Sequence, residues 1–112
     1  MNKKKLYVFD VEGTIEVQKG WEGIPIDRIR ELKSEGFIIY IVGAYDALSP
    51  VTTEFTNGWH GGDKIESLEW LSGLHPDVEE KVYFGDRDWD KWATEQAGWD
   101  FVWAKDFDSF MS

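Results

Sequence analysis

Residues 37–42 read FIIYIV, an unbroken apolar run with no polar position for a solvent-facing side. A strand with one wet face alternates apolar and polar side chains. One that is apolar throughout needs cover on both faces, which a parallel sheet packed between helices supplies. Leu6–Phe9, Lys81–Phe84 and Phe101–Trp103 are shorter strand-like runs, and helical patterns lie between them. Ile24–Glu35 carries Pro25 in its first turn, Ile26, Ile29 and Leu32 on one face, and Gly36 as a stop. Asp63-Lys64-Ile65-Glu66 reads as a capping box ahead of an inner face of Ile65, Leu68 and Leu71. Asp88–Ala97 reads as a helix closed by Gly98. A short helix is expected from Ser49-Pro50 to Asn57-Gly58, and Asp106–Met111 reads as a final helical turn or two.

Strands alternating with helices predict an α/β fold: a three-layer, Rossmann-like parallel sheet with right-handed crossovers and helices on both faces. At 112 residues the chain is expected to form a single domain, 1–112. Its 42% hydrophobic content is ample for a core and excludes a disordered chain. There is no cysteine, hence no disulfide framework and no thiolate metal centre, which suits a cytoplasmic protein. The apolar stretches fall far short of the about 20 residues that cross a bilayer, so no membrane association is expected. The basic Met1–Lys5 leads into a strand rather than an apolar leader. A net charge of −10 disfavours duplex nucleic acid and anionic membranes, both of which call for a cationic footprint.

In parallel sheets, ligands gather at the carboxyl ends of the strands. Asp10 follows the first strand, Gly43 the second, and Gly85-Asp86 the third, so the fold turns scattered acids into a cluster. That cluster comprises Asp10, Asp86 and Asp90, with Glu12, Asp88 and Asp46 nearby. An unpaired carboxylate in a dry site is costly, and a hard divalent cation such as Mg²⁺, bound by oxygen ligands, removes the cost. Taken singly, Asp88 and Asp90 could equally cap a helix and Asp10 could be an ordinary strand-end acid.

The stretch FDVEGTI resembles the first motif of the haloacid dehalogenase superfamily, Asp-x-Asp-Gly-Thr. VYFGDRDWDKW resembles its fourth, Gly-Asp-x-x-x-Asp after a strand. Order and spacing fit over nearly the whole chain. The resemblance implies a Mg²⁺-dependent phosphatase with a Rossmann-like fold, in which Asp10 is the nucleophile that forms an aspartyl-phosphate. Asp86 would hold Mg²⁺, Asp90 would ligate or orient the metal shell, and residue 12 would give the metal its backbone carbonyl while Glu12 serves as general acid and base. Lys64, 22 residues before Asp86, would be the phosphate-binding lysine; as a bare residue it could equally be solvated. Covalent catalysis splits hydrolysis into two steps, and a lysine with a divalent ion relieves the repulsion between carboxylate and phosphate.

Two positions depart from the motifs: Glu12 replaces the usual aspartate, and Gly43 stands where Ser or Thr is usual, leaving backbone N–H groups for the phosphate unless Ser49 or Thr52 reaches in. There is no large cap domain, only room for a small flap between Thr14 and Pro25. An open site of this kind implies a phosphorylated substrate that is a small molecule, a protein or a nucleic-acid end. The stretch GAYDALSPVTTEF is similar to phage-type polynucleotide end-healing phosphatase domains, although the net charge opposes a nucleic acid. Most of the seven tryptophans are expected to pack in the core or at its rim, with Trp21 and Trp59 the better candidates for substrate contact. His60 and His75 lack metal-ligand spacing. A non-catalytic phosphate- or Mg²⁺-binding module on the same fold is the alternative to a phosphatase, and a receiver domain fits the motif order less well.

Overall fold

The β-branched and aromatic runs do become strands. The computed structural model describes residues 4–16, 23–43 and 54–112. In chain order the elements are β1 (Lys5–Phe9), α1 (Ile26–Ser34), β2 (Ile38–Ile41), β3 (Thr56–Asn57), α2 (Lys64–Leu74), β4 (Glu80–Gly85), α3 (Asp88–Gln96), β5 (Asp100–Trp103), a 3₁₀ turn over Ala104–Asp106 and α4 (Phe107–Met111). The five strands form one sheet in the order β3-β2-β1-β4-β5, with every pairing parallel. No helix among the described residues is long and apolar enough to cross a membrane.

Strand alternation divides the core in two. Tyr7, Phe9, Ile39, Ile41, Val82 and Phe84 join Ile29 and Leu32 of α1 and Phe107 of α4 in one buried cluster. Leu6, Val8, Val42 and Tyr83 join Leu68 and Leu71 of α2 and Trp99 in the other. Successive residues of one strand thus bury into opposite faces, which is why these strands read as continuously apolar. Phe9 and Phe84 are register partners on β1 and β4, and their rings stack with centroids 4.6 Å apart. Phe84 also meets the rings of Tyr7, Phe107 and Phe110, tying the central strands to α4.

The expected helix ending at Asn57-Gly58 is corrected. Residues 49–53 lie outside the described residues, and Thr56–Asn57 is a strand beside Tyr40–Ile41. The free edge of β2 offers ladder groups that outweigh any helical tendency here; the Gly58 amide extends the pairing by donating to the Ile41 carbonyl at 2.7 Å. The capping box forms by half. Asp63 accepts from the Glu66 amide at 2.8 Å, but Glu66 turns back to the Gly62 amide, at 2.9 Å, instead of to Asp63. Ser67, rather than Ile65, is the buried partner of Leu68 and Leu71 in that helix.

The chain runs outward from β1 to β2 and β3, then crosses back to the far side of β1 for β4 and β5. Connections leave the adjacent β1 and β4 in opposite directions, opening a crevice at their carboxyl ends. Because Phe84 packs at that junction, Phe84→Ala should cost about 3–5 kcal/mol of stability. Urea denaturation monitored by circular dichroism should register it as a lower midpoint with little change in slope.

Candidate active site

The crevice is built by backbone before side chains enter it. The Asp10 amide continues the β1–β4 ladder, donating to the Phe84 carbonyl at 2.9 Å, so Asp10 is fixed at the edge of the sheet with only 7% of its surface exposed. The chain then turns: the amides of Thr14 and Ile15 both donate to the Val11 carbonyl, at 3.1 and 3.0 Å. Ile15 and Ile24 meet in a short bridge; residues 17–22, Trp21 among them, lie outside the described residues. At the end of β4, Asp86 is exposed. One helical turn on, Asp90 is fully buried and its Oδ2 accepts from the Asp86 amide at 3.3 Å.

Each of these three carboxylates lies against a glycine. Gly13 adopts φ +73°, and a Cβ there would collide with the Asp86 carboxylate. Gly43 adopts φ +144°, and a Cβ would collide with Asp10 Oδ1. A Cβ on Gly85 would lie 2.8 Å from Asp90 Oδ2. The glycine at position 43 therefore has a steric reason: in this backbone conformation a serine side chain occupies the space Asp10 uses.

Asp10, Asp86 and Asp90 can each bring one carboxylate oxygen within 4.8 Å of the other two. Lys64, the first residue of α2, ion-pairs with Asp90 and places its Nζ 3.8 Å from Asp10 Oδ1, over the ring of the buried Tyr83. One ammonium thus serves two of the three carboxylates. Loss of water pushes the Asp10 carboxyl up to about 6, Lys64 and the Val11 amide opposing the shift while Asp90 and Asp86 add to it. Burial also lifts the Tyr83 hydroxyl well above its usual range, with all three aspartates reinforcing the shift. An oxygen-only donor set that is short of positive charge fits a hard divalent cation of the Mg²⁺ class.

Glu12 stands apart from this trio. Its side chain is 69% exposed, with Oε2 4.0 Å from the Arg87 guanidinium. It does share an open cavity of about 300 Å³ with Asp10, Gly43, Lys64, Asp90, Arg87 and Trp89. Asp88 is exposed at the start of α3 and outside the close cluster. Asp46, Ser49 and Thr52 lie outside the described residues. Arg87 carried no sequence signal beyond its place inside Gly-Asp-x-x-x-Asp. Trp89 reads as a packing residue by spacing, yet it is 56% exposed at the cavity. Trp59, by contrast, is 42% exposed but not among the cavity residues. Both histidines are engaged elsewhere: His60 stacks on Trp70, and His75 Nε2 lies 2.8 Å from the Tyr40 hydroxyl.

The raised Asp10 group sets a pH dependence. The folded chain holds that proton more tightly than the unfolded chain, so stability falls as pH rises from about 4 to about 6 and the loss is complete above that. In a chelating buffer, Asp10→Asn should therefore be more stable than the native protein at pH 8, by on the order of 2–3 kcal/mol. The gain should fade below pH 5; thermal denaturation across that range is the measurement. No family model, no curated protein and no solved structure matches the chain.

Proposed function

We propose that the chain is a Mg²⁺-dependent phosphohydrolase acting through an aspartyl-phosphate on Asp10, built as a small, capless, three-layer member of the haloacid dehalogenase superfamily. One observation carries the reading. Two buried aspartates, Asp10 and Asp90, and the mostly buried Lys64 line an open cavity, with the Asp86 carboxylate in reach of both acids, at the crevice where the sheet order reverses. The order and spacing of the two sequence motifs support the same assignment.

In this reading, Asp10 attacks the phosphorus of a bound phosphomonoester, the bond to the alcohol oxygen breaks, and Glu12 gives that oxygen a proton. Glu12 then takes a proton from water, which attacks the phosphorus of the aspartyl-phosphate, releasing phosphate and restoring Asp10. Lys64 meets the oxygens of the transferring group, and Gly43 leaves the approach to Asp10 clear. Held by Asp10, Asp86 and Asp90, with the backbone carbonyl of residue 12, Mg²⁺ would offset the repulsion between two anions. The buried edge of the site keeps Asp10 desolvated, which strengthens each of these interactions.

The alternative, a binding module without turnover, draws on one observation: the Glu12 carboxylate faces solvent beside Arg87. Hydrolysis of a phosphoester panel separates the two. The phosphohydrolase reading expects Mg²⁺-dependent release of phosphate that Asp10→Asn abolishes. Glu12→Gln should lower turnover by about 10²–10⁴ while leaving cation binding nearly intact. No hydrolysis of any ester, with phosphate and Mg²⁺ still bound, would favour the module. Independently of activity, Mg²⁺ at 100 times its dissociation constant should stabilise the native protein by about 2.7 kcal/mol and leave Asp86→Ala unshifted. Equal shifts in both proteins would remove the cation from these residues.

A further inference from the structure

Asp90 turns inward from the first turn of α3, whereas Trp89, one position earlier, is left in water. Trp89 is 56% exposed and Trp92, one turn on, is 46% exposed, their rings stacked with centroids 4.9 Å apart and planes 28° from parallel. Two other tryptophans are taken up by packing: Trp99 is buried, and Trp70 lies against His60. Two stacked rings left exposed beside a cavity offer a flat apolar surface for a ligand. Trp89 lines the cavity that also holds Asp10, Asp90 and Lys64, so the ring shares a volume of about 300 Å³ with two of the three acids and the lysine.

We infer that the substrate is a phosphomonoester whose alcohol half carries a planar ring, as in a nucleoside monophosphate or an aryl phosphate, with the ring stacked on Trp89 while the phosphate meets Lys64. This deepens the phosphohydrolase reading and rests on it. Trp92 backs Trp89 and holds its ring in place, so the aromatic platform is set before the ligand arrives. Arg87, whose side chain is 67% exposed at the same cavity, adds a second cation for a phosphate dianion. The net charge of −10 favours a small monoester over a polyanionic strand, whose further phosphates would be repelled.

The test is calorimetry with Mg²⁺ on Asp10→Asn, which cannot form the covalent intermediate. The probes are adenosine 5′-monophosphate, phenyl phosphate and ribose 5-phosphate. At least one ring-bearing ester should bind about 5- to 150-fold more tightly than ribose 5-phosphate, the span of a single stacking contact. The tighter of the two identifies the nucleotide or the aryl source. Adding Trp89→Ala should erase that advantage and leave ribose 5-phosphate binding unchanged, which also reports that the variant is folded; Trp89→Phe should keep part of it. Equal affinity for all three probes overturns the inference and leaves the phosphate site standing. So does a Trp89→Ala loss that is equal for all three. Absence of binding by every probe overturns both the inference and the reading beneath it.

Discussion

The negative charge on Asp10, held out of water at the end of β1 with two more carboxylates in reach, is what the surrounding structure answers to. The backbone ladder fixes Asp10 in place and leaves it no retreat into solvent. Lys64 supplies the one close ammonium among the described residues and the Val11 amide a hydrogen bond, and the two together do not hold the carboxyl at its usual pKa. Glycines at 13, 43 and 85 free the space the three carboxylates occupy. A fold selected for stability alone would replace this arrangement with apolar side chains, since unpaired buried charge costs several kcal/mol (roughly). A divalent cation, which these three carboxylates could hold, would offset that charge.

The sheet supplies the rigidity that such a cluster demands. β1 and β4 are the central pair, and their adjacent ends carry Asp10 and Asp86. Phe9 and Phe84, stacked just before those ends, lock the two strands in register one residue before Asp10 and two before Asp86. On β1, apolar packing and polar chemistry meet across a single peptide unit, so a slip of one residue would bury Asp10 in the core.

Much of this was legible in the sequence. The continuously apolar runs gave the parallel sheet, and the position of Asp10 and of Gly85-Asp86 after such runs gave the convergence of the trio. Lys64 was singled out by the motif resemblance and its place at a helix start, and Asp63 does cap that helix. The rest depended on tertiary contacts that no local pattern encodes. The two-residue β3 exists through its partner β2, and a short polar segment has no periodicity with which to announce that. The orientation of Glu12 toward Arg87 and the exposure of Trp89 follow from how the turn after β1 and the first turn of α3 face each other. Helical spacing sorted Trp89 with the packing residues because it records which side of a helix a residue occupies, and not whether anything covers that side.

The most direct measurement is the covalent state of Asp10. Incubated with Mg²⁺ and acetyl phosphate and quenched in acid, the protein should carry one phosphoryl group on the peptide containing Asp10, released by hydroxylamine as an acyl phosphate is. Asp10→Asn should carry none. A phosphoryl group on any other residue, or equal labelling of native protein and Asp10→Asn, would contradict the assignment of Asp10 as nucleophile.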